Sequence, residues 1–311
     1  MPSVRNNLFI IGSGAIGKAL AVFLKLAGRD VMIIRGSVND GTSKTEQISV
    51  EMADGTVHKS DIAINTLDTL PALDGIVILT NKSFGNEQLA LSLKGKTGDS
   101  PLVLLQNGLS VEQPFINHHY PGVYRCVLFV TSETVDAVTV RFKPVSICPI
   151  GIEHGNNDDL NEIVMRLNTP HFQFKPEENI QTTIWKKAIV NCAFNSICPL
   201  LEIDNGIFHR NAKAFEVARR IISECIAIAN AKGIALQQDE VEASLIQISM
   251  FSDGQAISTL QDIRNKRRTE IETLNPEIVR IAKSLHKEDL VKETQLLGEL
   301  TKLKADINFK S

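Results

Sequence analysis

The sequence predicts an α/β domain followed by an all-α domain. Three observations point there. Short Ile-, Val- and Leu-rich runs alternate with helical stretches through the first half. A glycine-rich turn follows the first of those runs directly. After Lys175-Pro176 the strand-like runs thin out and helical periodicity takes over. The length of 311 residues suits two domains better than one. The break at Pro176 and Glu177-Glu178 divides the chain into residues 1–176 and 177–311.

The strands of the first half are read at Leu8–Ile11, Val31–Ile34, Ile76–Leu79, Leu102–Leu105, Val127–Val130 and Val138–Phe142. Runs of four or five such residues, set between helical segments, suit buried strands of a largely parallel sheet. Asp54-Gly55 sits between two alternating pieces within residues 47–64. That dipeptide predicts a hairpin, read as a small antiparallel insertion. In the second half, helices are predicted over Ile180–Ile197, closed by Pro199, and over Arg210–Lys232, capped by Gly233. Further helices are expected at Gln238–Met250, Gln255–Arg264, Thr269–Lys287 and Lys292–Leu303.

Composition narrows the function. Lys+Arg is 33 against 36 Asp+Glu, a net charge of −3, so a general nucleic-acid or membrane-surface binder is not expected. Aromatic residues are only 5%, too few for broad base-stacking platforms. Cys126, Cys148, Cys192, Cys198 and Cys225 form an odd set without a C-x-x-C pair. Neither a metal site nor a disulfide framework is expected, and a reducing cytoplasm fits best. The opening segment lacks the long apolar stretch of a signal peptide, and the apolar runs are too short to span a membrane.

Leu8-Phe9-Ile10-Ile11 runs into Gly12-Ser13-Gly14-Ala15-Ile16-Gly17, followed by helical spacing and a second strand. This is G-x-G-x-x-G in a strand–turn–helix–strand setting, and it predicts a dinucleotide site. Gly12 allows the tight turn, Gly14 lets the backbone approach a pyrophosphate, and Gly17 lets helix and strand pack closely. The free N–H groups at the helix start face the phosphates. The second strand ends Ile34-Arg35-Gly36-Ser37, with no carboxylate before Asp40. A guanidinium and a hydroxyl there suit a ribose 2′-phosphate, so NADPH is expected over NADH. The alternative is that Arg35 is a solvated loop residue. Lys82 and Asn107 follow the strands at Ile76–Leu79 and Leu102–Leu105, at sheet ends where ligands bind in open α/β folds. Both are expected to reach the ribose–nicotinamide half of the cofactor.

In the helical half, Lys187, Asn191 and Asn195 recur at i, i+4, i+8 on a helix that is otherwise apolar from Ala188 to Phe194. They fall on one narrow stripe. A helix apolar nearly all round should be buried, and buried amides and lysines need partners. The stripe is read as a polar wall facing a small oxygen-rich ligand, with Lys187 a tunable proton donor. A solvated face is the alternative. A second cluster runs from Ser258 to Glu272. On one straight helix Ser258 and Glu270 would stand ~18 Å apart, so a break is required. Thr269-x-x-Glu272 has capping-box spacing that could start the next helix. Lys266-Arg267-Arg268 is read as solvated loop, with a phosphate or carboxylate contact as the minority view. The helix near 210–232 could support a homodimer or simply fill the core.

Together these motifs resemble the ketopantoate reductase (2-dehydropantoate 2-reductase) family, over nearly the whole chain. The resemblance rests on the glycine turn, the lysine after the third run, Gln106-Asn107-Gly108, Trp185-x-Lys187-x-x-x-Asn191-x-x-x-Asn195, and Ser258-x-x-Gln261-Asp262-Ile263 followed by Thr269-Glu270-Ile271. It implies a Rossmann-type domain, then a helical domain like the C-terminal domain of 6-phosphogluconate dehydrogenase, with substrate in the cleft between them. The implied activity is reduction of ketopantoate to pantoate by NADPH, a step toward coenzyme A. Lys187 matches the family's general acid and Glu270 its substrate-orienting glutamate. Asn191, Asn195 and Asn205 match substrate-contacting asparagines, and Ser258 matches the serine that holds the substrate carboxylate. Lys82 and Asn107 match cofactor-side residues. Glu272 and Asn275-Pro276 depart from the family's aspartate and Asn-Gly, and Thr131-Ser132-Glu133 does not match its usual sequence. These departures leave the exact 2-oxo acid open. The alternatives are a related NADPH reductase of another 2-oxo acid or an imine, and a catalytically inactive NADPH-binding regulator.

Overall fold

The computed structural model describes residues 7–36 and 38–310. Ser37, read above as a 2′-phosphate donor, lies outside the described residues. The chain forms two compact units. The first takes in the described residues up to Gln106 together with Val111–Ile180. The second comprises Asn107–Ser110 and Gln181 onward.

In chain order, the first unit contains β1 (Asn7–Ile11), α1 (Ala15–Leu26), β2 (Asp30–Arg35), β3 (Lys44–Met52), β4 (Val57–Thr66), β5 (Ile76–Leu79), α2 (Asn86–Leu93) and β6 (Leu102–Leu104). It continues with α3 (Gln113–Asn117), β7 (Val123–Cys126), β8 (Val130–Thr134), β9 (Thr139–Pro144), β10 (Cys148–His154), α4 (Asn157–Leu167) and β11 (Phe174–Pro176). The strands form one sheet in the order β11-β10-β7-β6-β5-β1-β2-β4-β3-β9-β8. Among the described residues, only the pairings β3–β4, β7–β10 and β8–β9 are antiparallel, so the sheet is largely parallel as expected.

Side-chain alternation explains why the central strands read as unbroken apolar runs. Leu8 and Ile10 of β1, Ile76 and Ile78 of β5, and Val103 of β6 enter one core with α1 and α4. Phe9, Ile11, Val77, Leu79, Leu102 and Leu104 enter a second core, on the opposite face, with α2 and α3. Successive strand residues point to opposite faces, so a strand covered on both sides must be apolar at every position.

Two strand expectations need correction. The run Val127–Val130 is not one strand: β7 ends at Cys126 and β8 begins at Val130. The paired segment is Val123–Cys126, in register with Leu102–Leu104. Its central Arg125 masks the apolar signal. The hairpin is not a separate insertion either. β4 pairs parallel to β2 and β3 pairs parallel to β9, so β3 and β4 extend the main sheet. The Asp54-Gly55 turn itself forms as read. The Gly55 N–H donates to the Met52 carbonyl at 3.0 Å, and Gly55 has φ +86°. The left-handed residue favours glycine, and the Asp54 carboxylate accepts from the Thr56 N–H at 2.9 Å.

The second unit is helical: α5 (Ile180–Leu201), α6 (Ile207–Arg210), α7 (Ala212–Ala231), α8 (Gln238–Phe251), α9 (Ser258–Arg264), α10 (Asn275–Ser284) and α11 (Lys292–Lys310). Gly233 (φ +81°) closes α7 as expected, with the Ile234 N–H reaching back to the Ala229 carbonyl. Pro199 does not close α5, which runs on to Leu201. The proline costs only one backbone donor in the last turn. The stop comes from Glu202 in the left-handed conformation (φ +54°), with the Ile203 N–H bonded to the Cys198 carbonyl at 3.1 Å. Lys266 (φ +50°) ends α9 in the same way, with the Arg267 N–H on the Asp262 carbonyl at 2.8 Å. The required break after Ser258 is therefore made by a left-handed cap.

The Thr269–Glu272 capping box does not form. A 3₁₀ turn occupies Ile271–Thr273, and α10 starts only at Asn275, with Pro276 in its first turn. The Glu272 carboxylate instead pairs with Lys302 on α11. Asn275 is fully buried against α11. A Cβ added at Gly298 would stand 2.7 Å from the Asn275 Cβ, so this crossing needs a glycine. Gly298→Ala should cost about 1–3 kcal/mol by overpacking. A lower urea midpoint at unchanged m-value would register it; an unchanged midpoint would show that the helices can slide apart freely. Among the described residues no helix is long and apolar enough to cross a membrane.

Candidate active site

The glycine turn follows β1 at the point where the sheet order reverses, with β2 on one side of β1 and β5 on the other. In open α/β sheets, ligands bind at such switch points, outside the carboxyl ends of the strands. The three glycines differ physically. Gly12 has φ +121°, and a Cβ there would lie 2.6 Å from the Asn81 nitrogen. A Cβ at Gly17 would lie 2.1 Å from the Gly12 carbonyl oxygen, because α1 packs directly on the turn. Gly14 has an ordinary backbone (φ −76°), and beyond its own chain neighbours a Cβ there would meet nothing within 4 Å among the described residues. Protein packing thus explains Gly12 and Gly17 but not Gly14, which is what a pyrophosphate approach requires.

The first turn of α1 carries no acidic side chain and no side-chain cap, leaving a positive dipole end suited to phosphate. Ser13 is exposed, and Ala15 and Ile16 are half-buried at that end. Thr80, just after β5, was not singled out from the sequence. Its hydroxyl donates to the Gly12 carbonyl at 3.0 Å, and its N–H donates to the Ile11 carbonyl at 2.9 Å. It therefore locks the glycine turn from the next strand.

Arg35 is the last residue of β2, and its guanidinium lies 3.3 Å from the Asp40 carboxylate. Asp40 is held below its ordinary range mainly by hydrogen bonds from Thr42, with Arg35 contributing less. The absence of a nearer carboxylate in the sequence is thus only part of the picture: the fold returns Asp40 to Arg35. Lys82 is exposed at the carboxyl end of β5, one residue before a 3₁₀ turn.

In the second unit, the helix around Lys187 is apolar and buried as expected. Ala188, Ile189, Val190, Cys192, Ala193 and Phe194 are all at most 3% exposed. Lys187 and Asn191 are half-buried and Asn195 is buried. The Asn195 amide donates to the Asn191 carbonyl at 3.0 Å, and its oxygen lies 3.5 Å from the Ser258 hydroxyl. The fold thus brings Ser258 to the end of the polar stripe.

Asn205 is buried, and its side-chain oxygen has no hydrogen-bond partner among the described residues. Its backbone is firmly held. The N–H donates to the Gln255 carbonyl, and the carbonyl accepts from the Ser249 hydroxyl at 2.6 Å. Next to it, Arg210 bridges Asp204 and Asp253. Hydrogen bonds from Arg210 hold the Asp204 carboxyl down to about 2. These clamp residues were not read from the sequence; only the adjacent Asn205-Gly206 hinted at them.

Asn107 clusters with the second unit. Gly108 (φ +101°) presses against Thr273, and the Leu109 N–H donates to the Thr273 carbonyl at 2.9 Å. Thr273 in turn donates its hydroxyl to the Glu270 carbonyl at 3.0 Å. The fold therefore joins the Asn107 loop to the half-buried Glu270, a link the sequence did not reveal.

Two family models cover most of the chain: Ketopantoate reductase PanE/ApbA matches residues 8–147, and Ketopantoate reductase PanE/ApbA C terminal matches residues 179–304. The chain belongs to the ketopantoate reductase family. A 2-dehydropantoate 2-reductase of Pyrococcus horikoshii is 30% identical over 289 residues, spanning 91% of this chain and 92% of that protein. Among solved structures, a dimeric ketopantoate reductase from Staphylococcus aureus superposes with TM-score 0.80 at 19% identity, covering 97% of this chain and 99% of the other. D-mandelate dehydrogenase with NADH and anilino(oxo)acetate superposes with TM-score 0.82 at 20% identity, with the same coverage. These structural likenesses establish the fold shared with the ketopantoate reductase family: an α/β parallel-sheet domain and a helical C-terminal domain.

Proposed function

We propose that the chain reduces ketopantoate to pantoate with NADPH. The observation that carries this reading is the Lys187–Asn191–Asn195 row on a buried helix, with Ser258 beside Asn195, in a chain of this family. The glycine turn fits a dinucleotide, since Gly14 is open where Gly12 and Gly17 are crowded. Gly12, Ser13, Gly14, Ala15, Ile16 and Gly17 would hold the pyrophosphate, Arg35 the 2′-phosphate, and Lys82 and Asn107 the ribose–nicotinamide half. When bound, NADPH supplies a hydride for the C2 carbonyl of the 2-oxo acid.

The chain's own residues do the rest. Lys187 places a positive charge at the carbonyl oxygen and gives that oxygen a proton as it becomes an alkoxide. Asn191, Asn195, Asn205 and Glu270 bind and orient the substrate's hydroxyl and keto groups. Ser258 holds the carboxylate by donating its hydroxyl. The unpartnered Asn205 oxygen supports a ligand contact there, because a buried amide oxygen left alone is costly. The family is named for a small 2-oxo acid substrate, and a dimer is known for the Staphylococcus aureus structure; a homodimer is proposed for this chain on that basis.

The test is loss of NADPH absorbance with ketopantoate against a panel of other 2-oxo acids, repeated with NADH. Highest kcat/KM for ketopantoate with NADPH is expected. A stronger preference for another oxo acid would move the substrate, and no turnover with any acid would leave a binding protein. Arg35→Ala should raise the KM for NADPH about tenfold or more while sparing NADH. Equal use of both cofactors by the unmutated chain would remove Arg35 from cofactor choice.

A further inference from the structure

Behind the ends of β5 and β6 lies a buried polar network with no part in the chemistry above. Asn86, Gln106, Glu112 and Arg125 are each 2–5% exposed. The Asn86 amide donates to the Gln106 side-chain oxygen and to the Val111 carbonyl, both at 2.8 Å. The Gln106 amide donates to the Asn86 side-chain oxygen at 2.9 Å and to the Asn81 carbonyl at 3.0 Å. Arg125 forms an ion pair with Glu112 and also points a guanidinium nitrogen at the Gln106 carbonyl, at 3.4 Å.

These bonds share a pattern. Gln106 immediately precedes the Asn107–Ser110 segment, and Val111-Glu112 immediately follows it. Asn86 and Arg125 each bridge both ends, so the base of the segment is fastened twice. Gln106 also fastens Asn81, the neighbour of Lys82. Burying a charged pair and two amide groups gives little net stability compared with apolar packing, so stability alone is a poor reason for the network.

We infer that Asn86, Gln106, Glu112 and Arg125 are positioning residues, which act through backbone bonds to set Lys82 and Asn107 for the nicotinamide half of the cofactor. This rests on the dinucleotide reading above. Loosening the network should move those two side chains while leaving the glycine turn, which serves the phosphates, in place. A displacement of about 1 Å is enough to cost a reacting group about a hundredfold in rate.

The experiment compares binding of NADPH with binding of its 2′,5′-ADP half, using the full chain, and repeats it with NADH and ADP. The variants are Asn86→Ala and the double replacement Arg125→Met with Glu112→Leu, which removes both buried charges together. Expected is about tenfold weaker NADPH binding, with 2′,5′-ADP binding changed by less than about twofold and, for the double replacement, the melting temperature nearly kept. With 4-deuterated NADPH, the isotope effect on kcat should rise, because hydride transfer becomes slower. Equal weakening of both ligands, or of neither, overturns the inference. If Asn86→Ala fails to fold, the double variant decides by the same criteria; Asn86→Ser decides if the double variant fails. Failure of the unmutated chain to bind either ligand instead overturns the dinucleotide reading, so the two failures are distinguishable.

Discussion

Lys187→Ala should lower kcat for the 2-oxo acid by about two to four orders of magnitude while the Kd for NADPH stays within about twofold. That is the usual range for losing a positioned general acid. In the proposed mechanism the proton has to reach an oxygen that gains charge as hydride arrives, and the same ammonium would stabilise that developing charge. The substitution should be structurally mild. Lys187 is half-buried on the 22-residue α5, and alanine is the best helix former. Steady-state kinetics with parallel NADPH fluorescence titration checks both parts. An unchanged kcat would remove Lys187 from the mechanism, and a parallel loss of cofactor affinity would place it on the cofactor instead.

Gly14→Ala and Gly17→Ala should separate binding from folding. A methyl at Gly17 collides with the Gly12 carbonyl oxygen at 2.1 Å and the Thr80 hydroxyl at 2.7 Å. Backbone cannot yield cheaply there, so about 1–3 kcal/mol of stability should be lost, together with NADPH binding. Beyond its own chain neighbours, a methyl at Gly14 meets no atom of the described residues within 4 Å, and its backbone suits any residue. Gly14→Ala should therefore melt like the unmutated protein yet bind NADPH about tenfold more weakly or worse, because the methyl would occupy the proposed pyrophosphate approach. Thermal melts and fluorescence titration of the two variants provide the comparison. Unimpaired binding by Gly14→Ala would mean that the turn does not hold the cofactor.

Much of the architecture was legible because its causes are local. β1, the glycine turn and α1 follow one another within twenty residues, and the periodicity switches from strand to helix where the glycines stand. Gly233 could be read as a helix end because only its own backbone had to bend. Where a helix stops at Glu202 or Lys266, the left-handed residue gives no such compositional signal. Capping-box spacing at Thr269–Glu272 misled for a related reason: Glu272 found Lys302, thirty residues on, before it found a backbone amide. The strand β7 escaped notice because its buried Arg125 is tolerable only with Glu112 beside it.

The sequence alone determined the glycine turn between β1 and α1, the change from an α/β to a helical domain, and the polar row on an apolar helix. Each depends on residues a few positions apart, whose geometry is set by the 2.0 and 3.6 periods of strand and helix. Only the tertiary structure decided which distant groups meet. It returned Asp40 to Arg35, brought Ser258 to Asn195, seated Gly108 on Thr273, and fastened Gln106 to Asn86. Hydrogen bonds and ion pairs are short-ranged and directional, so such meetings depend on how the whole chain packs, which no window of neighbouring residues records.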